Sequence, residues 1–209
     1  MVQLEQVKVF QECLRKEMPT YGVQLSPPML EQLGSYYELL LRWNERLHLV
    51  APCSAEEFAT KHVLESLTLT KHFAVSATVV DIGSGAGLPI IPCLVARADI
   101  SATLIESSQK KSVFLREALK TIGALKRATI LSKPFESLPS PKADYVTCRA
   151  LDDFLQALPS LIHWAPSGAT LLLFGGQSLS QRLEELNFET NVTLLPNSDR
   201  RFLLEVKKL

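Results

Sequence analysis

Residues 79–89 read Val-Val-Asp-Ile-Gly-Ser-Gly-Ala-Gly-Leu-Pro, a β-branched run followed at once by a glycine-rich loop. Buried parallel strands have such continuous apolar runs, and glycines after them let the chain turn sharply into a helix. Further strand-like runs alternate with helix-like runs, which is typical of a parallel α/β sheet. The strand-like runs cover residues 77–82, 101–106, 128–131, 143–148 and 169–174, and the helix-like runs cover residues 89–97, 109–122 and 152–163.

The two ends of the chain differ from this middle part. Apolar residues recur at helical spacing near the start and again from Leu30 to Leu47, with Pro28 in a first helical turn and Ser54 at a later helix start. Near the other end, residues 190–195 and 201–207 predict an antiparallel strand pair. We therefore predict a Rossmann-like α/β fold with a mostly parallel sheet over residues 73–209 and a helical extension over residues 1–72, packed as one compact unit.

The residue types in the glycine-rich loop indicate which ligand it binds. Asp81 lies two positions before the first glycine, where a carboxylate repels a diphosphate and attracts a cation. Leu88 occupies the position at which a dinucleotide fingerprint has glycine or alanine. S-adenosylmethionine carries an ammonium and a sulfonium group, so Asp81 is predicted to face these charges while loop N–H groups bind the carboxylate. This favours the class I methyltransferase fold over a nicotinamide dehydrogenase.

A second acidic residue, Glu106, ends the next strand-like run. An acid at this place in a doubly wound sheet accepts hydrogen bonds from ribose hydroxyls. The alternative is an ordinary glycine turn beside a solvated Glu106. On the first interpretation the loop and this acid bind the cofactor through Asp81, Gly83, Ser84, Gly85, Gly87, Leu88 and Glu106.

The composition excludes several other classes of protein. The 209 residues carry 22 Lys and Arg against 22 Asp and Glu, which excludes a polycation that binds nucleic acid through its overall positive charge. No apolar run is long enough to span a bilayer, and the four cysteines form no CxxC pair. The histidines lack metal-ligand spacing, and Cys148 falls in a buried strand rather than at a nucleophile's place. We expect a cytoplasmic protein without a metal.

Basic residues nevertheless concentrate along and after one helix-like run. They are Lys110, Lys111, Arg116, Lys120, Lys126 and Arg127. A solvated helix face and a surface facing a polyanion are both open interpretations.

Several motifs together carry a family resemblance. They are Trp43-Asn44, the run from Lys61 to Leu67, the loop from Asp81 to Pro89, Lys110-Lys111 followed by Phe114-Leu115, and Arg149-Ala150. With these the chain resembles the RsmG/GidB family (glucose-inhibited division protein B), which methylates guanine N7 in 16S ribosomal RNA. The resemblance extends from Tyr36 to Lys208.

The resemblance implies roles for further residues. It implies that Gly83 and Leu88 hold S-adenosylmethionine, that Pro134 and Phe135 bind adenine, and that Arg149 belongs to the cofactor or catalytic pocket. The implied partner is 16S ribosomal RNA or the small ribosomal subunit, and we expect the chain to act as a monomer. The residues expected to contact RNA are Lys110, Lys111, Arg200 and Arg201.

The chain also departs from the family pattern. Glu65 and Glu106 stand where the family usually has aspartate, and Phe135 stands where it has an acid. Gly175-Gly176 replaces a lysine-glycine pair, so one expected cation is absent. Two other functions therefore stay open, a methyltransferase acting on a small molecule or protein and a module that binds cofactor or ribosome without catalysis.

Guanine N7 attacks through its lone pair and loses no proton, so the implied reaction needs no general base. We therefore assign Arg149 to positioning or to an RNA phosphate. Unpaired RNA bases stack on aromatic side chains, for which Trp43, Tyr36, Tyr37 and Phe135 are candidates. Core packing is favoured for the first three.

Overall fold

The computed structural model describes residues 2–149, 151 and 153–208, and it contains one seven-stranded sheet. The strand order is β3-β2-β1-β4-β5-β7-β6, in which β1 to β5 are parallel and β7 is antiparallel to both β5 and β6. This confirms the predicted fold class. The strands are β1 (Thr78–Ile82), β2 (Ser101–Ile105), β3 (Ala128–Leu131), β4 (Tyr145–Cys148), β5 (Thr170–Gly175), β6 (Thr190–Leu194) and β7 (Phe202–Lys207).

The helices account for most of the remaining chain. A π-helical segment, Phe58–Leu64, joins two short α-helices, and a 3₁₀ turn, Thr68–Lys71, follows them. Ser54 and Glu57 form the capping box that the sequence predicts at this start. The α-helices are α1 (Val2–Glu17), α2 (Pro27–Leu47), α3 (Ala55–Glu57), α4 (Glu65–Leu67), α5 (Ile90–Ala96), α6 (Gln109–Thr121), α7 (Phe154–Trp164) and α8 (Gln177–Glu185).

One helix was not predicted. Helix α8 buries Leu179 and Leu183, whose four-residue spacing is the only apolar signal in this short segment. The helix predicted from residue 152 begins at Phe154, and both Asp152 and Ala150 lie outside the described residues. No helix within the described ranges is both long enough and apolar enough to cross a bilayer.

Helices cover both faces of the sheet and bury two apolar clusters. Val79 and Leu104 point to the cluster shared with α1, α2, α5 and α6. The neighbouring residues Val80 and Ile105 point to the opposite cluster, shared with α7 and α8. This alternation is the two-residue period of a strand, and it gives a three-layer arrangement.

The N-terminal helices are part of the first of these clusters. Tyr37 stacks between Phe10 and Phe58, with ring centroids 4.5 Å and 4.8 Å away. Tyr36 is fully buried, and the half-buried Trp43 contacts Phe114 edge-on at 5.9 Å. The core role favoured for Tyr36, Tyr37 and Trp43 is therefore confirmed.

The strand order reverses between β1 and β4, since β2 and β3 lie on one side and β5 lies on the other. In open α/β sheets a ligand crevice forms outside the carboxyl ends of the strands at such a reversal. The glycine loop that follows β1 and Arg149, which follows β4, both lie at this edge.

Candidate functional site

A cleft of about 590 Å³ lies at the carboxyl edge of the sheet. The glycine loop forms one wall, and the segment after α2, at Leu49 to Ala51, contributes to the lining together with His62. Of the predicted site residues, seven line it: Gly83, Ser84, Gly85, Leu88, Glu106, Lys111 and Arg149. A larger groove of about 1120 Å³ between α7 and the β6–β7 pair is lined by none of the predicted site residues.

The three loop glycines have backbone conformations that side chains rarely allow. The φ angles of Gly83, Gly85 and Gly87 are +68°, +48° and +83°. At Gly87 a Cβ atom would lie 2.2 Å from Ile91 Cδ1, so this glycine allows α5 to pack closely on the loop. At Gly85 the nearest atom would be the Gly83 carbonyl oxygen at 3.6 Å, which leaves open space on the cleft side.

Four N–H groups of the loop already have protein acceptors. Those of Gly83 and Ser84 donate to the Ile105 carbonyl at 2.9 Å and 3.1 Å, and that of Gly87 donates to the Ser84 carbonyl. The fourth, from Gly85, donates to the Glu106 carboxylate at 2.8 Å. The prediction that the loop N–H groups bind a ligand carboxylate is therefore wrong for these four, because their hydrogen bonds hold the loop itself in shape.

Glu106 is 6% exposed, and both of its carboxylate oxygens accept backbone hydrogen bonds. Oε2 accepts from Gly85 N, and Oε1 accepts from Ser108 N at 2.8 Å. The alternative of a merely solvated Glu106 is therefore wrong. Each oxygen has two lone pairs, so each retains one acceptor position, and Glu106 lines the cleft.

Asp81 is fully buried beside the glycine loop. Thr147 Oγ1 donates to its Oδ1 at 2.7 Å, whereas Oδ2 has no hydrogen-bond partner among the residues that the structure describes. Burial raises the pKa of Asp81 to about 7. The prediction of an anion at the mouth of the pocket is wrong, because Asp81 lies behind the cleft wall and not among the lining residues.

Two carboxylates at or behind the cleft wall have acceptor positions that the protein does not use. A buried carboxylate oxygen without a partner is unusual in a folded protein and marks a place where a ligand donor or cation would be stabilised. Asp81 Oδ2 is such an atom, and Glu106 adds free acceptor positions. These acceptors therefore fit a ligand that carries a positive charge near Asp81 and hydroxyl groups near Glu106.

Neither Pro134 nor Phe135 lines the cleft, although the resemblance implied an adenine contact there. Pro134 is exposed, and Phe135 is 4% exposed and packs edge-on against Trp164 at 5.6 Å. The prediction that Phe135 stacks on an RNA base is wrong, because its ring is already buried in the core behind β4 and β5.

A buried ion cluster closes one side of the cleft. Glu65, 1% exposed, accepts from Arg149 Nη2 at 3.3 Å and from Arg201 Nε at 2.8 Å. Arg149 also donates to the carbonyls of Lys61 and His62, which lie in the π-helical segment, at 2.5 Å and 3.4 Å. Because both guanidinium groups are held by Glu65, the predicted contacts of Arg149 and Arg201 with RNA phosphates are not supported.

Sequence reasoning assigned no role to His62, which lines the cleft within this cluster. Arg149 Nη2 lies 3.3 Å from His62 Nδ1. Burial, and then the positive charge of Arg149, lower the pKa of His62 to about 4. The ring is therefore neutral at pH 7. Its only sequence signal is its place in the run from Lys61 to Leu67.

The remaining predicted residues separate by position. Lys111 lines the cleft, while Lys110 and Arg200 are exposed outside it. Cys148 is fully buried, and burial raises its thiol pKa, which agrees with its exclusion as a nucleophile. Within the described parts of the chain, no three His, Cys, Asp or Glu side chains come together as a metal site.

The sequence matches known proteins over most of its length. A family model described as GidB, rRNA small subunit methyltransferase G, matches residues 29–205. The Ribosomal RNA small subunit methyltransferase G of Neisseria meningitidis serogroup A is 34% identical over 165 residues, which cover 79% of this chain and 76% of that protein.

Solved structures share the fold at lower sequence identity. A SAM dependent methyltransferase from Aquifex aeolicus superposes with a TM-score of 0.56 at 17% identity, covering 69% of this chain and 89% of that chain. An RNA methyltransferase from Salinibacter ruber, solved in complex with S-adenosyl-L-homocysteine, superposes with a TM-score of 0.53 at 15% identity. The superposition covers 69% of this chain and 88% of that chain. These similarities show the fold.

Proposed function

The chain belongs to the GidB family, rRNA small subunit methyltransferase G, and on this premise we propose that it methylates N7 of a specific guanine in 16S ribosomal RNA with S-adenosylmethionine. The main support is that the family match over residues 29–205 contains every residue that lines the cleft, including the glycine loop after β1. We further propose that the chain acts in the cytoplasm, where its RNA substrate is assembled into ribosomes.

The cofactor assignment follows from the unused acceptors of the cleft. Bound S-adenosylmethionine supplies a methyl group on a cationic sulfur atom. We propose that the carboxylate of Asp81, which lies behind the loop wall, stabilises this positive charge through space, and that the free lone pairs of Glu106 accept hydrogen bonds from the hydroxyl groups. Gly83, Ser84, Gly85, Gly87 and Leu88 shape the wall, and the open space at Gly85 admits the ligand.

The protein's part in methyl transfer to N7 is alignment and exclusion of water. Orientation of this kind contributes on the order of 7–11 kcal/mol to lowering a barrier. No proton leaves the guanine, so no side chain has to act as a general base. Both Glu106 oxygens already accept a backbone N–H, and the lowered pKa of His62 makes its ring a weak base, which is consistent with a site that moves no proton.

Positive charge develops on the guanine as the methyl group arrives. A neutral His62 does not repel this charge, and Glu65 offsets one of the two positive charges of Arg149 and Arg201. We propose that Arg149 is a positioning residue, because it ties His62 and the π-helical segment to the end of β4.

The experiment uses small ribosomal subunits from cells that lack this gene, tritiated S-adenosylmethionine and the purified protein. We expect label in 16S RNA and a single labelled 7-methylguanosine after nuclease digestion. Transfer that continues without RNA would indicate a small-molecule or protein substrate. Tight cofactor binding in calorimetry, without transfer to any subunit or precursor, would indicate a module that has lost catalysis.

A further inference from the structure

We propose that the outer side of α6 is the surface that binds the RNA backbone and leads the target base into the cleft. We call this surface the α6 basic face and define it by Lys110, Val113, Arg116 and Lys120, together with Lys126 and Lys133 beyond the two ends of the helix. The inference rests on the proposed RNA substrate, and it names a binding surface outside the cleft.

The helix presents these side chains on one side. Lys110, Val113, Arg116 and Lys120 recur at spacings of three, three and four residues, and all four are exposed. Such spacings place residues along one stripe of an α-helix. The opposite side of α6 is buried against the sheet and α2 through Phe114, Leu115, Ala118 and Leu119.

One end of the face opens onto the cleft. Ser108, which caps α6, and Lys111 in its first turn both line the cleft. The Gln109 side-chain amide donates to the Ser132 carbonyl at 3.1 Å, so the neighbouring Lys133 lies beside the same end. From there the helix runs for 13 residues, or about 20 Å, along the outer edge of the sheet.

The charges of this face are not compensated by the protein. Among the described residues, none of Lys110, Arg116, Lys120, Lys126 and Lys133 takes part in an ion pair. Glu117 is the one acidic residue in α6, and it is half-buried. Free cations beside a cleft neutralise phosphates and release counterions, which gives binding energy without sequence specificity.

The structure also separates Arg127 from the cluster to which the sequence assigned it. Arg127 donates to the carbonyls of Leu94, Arg97 and Ile100, at 2.9 Å, 3.2 Å and 2.9 Å. Its guanidinium is therefore a structural clamp between α5 and β2. Arg127 therefore fits neither of the two open interpretations of the basic cluster, and we assign the polyanion-facing one to its exposed members.

RNA fits this face better than an anionic membrane. A membrane-binding helix presents large apolar side chains beside its basic ones, whereas the α6 basic face has only Val113, at 53% exposure, and Leu125 beside Lys126, at 46%. RNA needs spaced cations leading to the cleft, which is what the face supplies.

The test compares two triple variants of the full chain. The face variant carries Lys110→Gln, Arg116→Gln and Lys120→Gln, and the control carries Lys8→Gln, Arg15→Gln and Lys207→Gln at exposed positions elsewhere. Both lose three positive charges, and glutamine preserves helix propensity. Binding to unmodified 16S RNA is titrated at several salt concentrations, and S-adenosylmethionine binding is measured by calorimetry.

For the face variant we expect RNA affinity to fall by at least about tenfold. The slope of log affinity against log salt should decrease by roughly one for each phosphate that the protein no longer neutralises. Cofactor affinity should stay within twofold for both variants, and the control should bind RNA like the wild type. Unchanged RNA binding by the face variant, an equal loss in the control, or wild-type binding to phosphatidylserine vesicles in preference to RNA would each overturn the inference.

The same variants separate this inference from the proposed function. If the wild type transfers no methyl group to RNA yet binds it through the face, the proposed function fails and the inference holds. If the wild type methylates RNA and the face variant does so with unchanged KM, the inference fails alone. A second variant, Lys120→Glu with Lys126→Glu, repeats the comparison away from the cleft.

Discussion

The Tyr36 hydroxyl donates a 2.7 Å hydrogen bond to the Ala86 carbonyl. Tyr36 belongs to α2, 50 residues before the glycine loop that contains Ala86, and its side chain is fully buried. Burial raises the pKa of this phenol, so the hydroxyl remains a donor. The N-terminal helices therefore hold the loop of the candidate cofactor site directly, in addition to sharing its core.

Replacing Tyr36 by phenylalanine removes this hydrogen bond and leaves the Ala86 carbonyl buried without its donor. We expect unfolding free energy to fall by about 1–3 kcal/mol, because an unsatisfied buried group retains its desolvation cost. We also expect weaker cofactor binding, measured by calorimetry, because the loop is less firmly held. Among the described residues the buried Tyr37 has ring contacts and no side-chain hydrogen bond, so Tyr37→Phe is the control. Equal cofactor affinity in both variants would contradict the role of Tyr36.

Asp81 should make cofactor affinity depend on pH. Its pKa of about 7 means that the free protein holds a proton there which a cationic ligand must displace. We expect S-adenosylmethionine to bind more tightly as pH rises from 6 to 8, with proton release visible as a buffer-dependent heat. In Asp81→Asn this pH dependence should disappear. A dependence that persists in Asp81→Asn would assign it to another group.

Asp81 should also make stability depend on pH, and here the folded protein becomes less stable as pH rises. The folded pKa of Asp81 lies above its unfolded value, so its contribution is complete below the unfolded pKa and is lost as pH rises through about 7. From pH 5 to pH 8 we expect the wild type to lose unfolding free energy relative to Asp81→Asn. Chemical denaturation at each pH measures it, and a constant difference would contradict the raised pKa.

Glu106→Ala removes both the proposed ribose acceptor and the carboxylate that holds the Gly85 and Ser108 N–H groups. We expect cofactor binding to weaken by about 1–3 kcal/mol. Glu106→Gln keeps one acceptor oxygen and should lose less. Glu117→Ala on α6 is the control for a carboxylate removed outside the cleft, and an unchanged dissociation constant in Glu106→Ala would remove Glu106 from the site.

Glu65→Gln leaves Arg149 and Arg201 facing a neutral amide. Breaking a buried ion pair from one side costs about 3–5 kcal/mol, and we expect a loss of unfolding free energy of this order in denaturant titrations. Glu65→Asp retains the charge with a shorter side chain and should cost less. Equal stability of the wild type and Glu65→Gln would mean that the cluster contributes nothing to the fold.

Gly175→Lys restores the residue that the family usually has after the fifth strand. A Cβ atom at Gly175 would lie 2.9 Å from Leu179 Cβ and 2.4 Å from its Cδ2, so α8 has to shift. We expect a loss of about 1–3 kcal/mol, typical of overpacking, and no gain in methyl transfer. The double variant with Leu179→Ala should recover part of the stability. Higher activity in Gly175→Lys alone would show that the missing lysine limits catalysis.

Local pattern was sufficient for the strand, glycine turn and helix from Thr78 to Ala96, because alternation, β-branching and positive-φ glycines act between near neighbours. The short α8 was missed because nine residues with two buried leucines give too weak a period. The resemblance assigns Phe135 to adenine, and nothing near it in the chain shows that Trp164 covers its ring.

The glycine loop and the order of strand and helix segments can therefore be predicted from the sequence, because they depend on interactions between residues close together in the chain. The roles of the charged residues depend on partners far away, since Glu65 and Arg201 are 136 residues apart and Arg127 is held by carbonyls 27 to 33 residues earlier. The sequence shows that a residue is charged, but it does not show whether that residue is buried in an ion pair or exposed to water. Only packing decides which of the two it becomes, because desolvation and hydrogen-bond geometry arise from the folded neighbours.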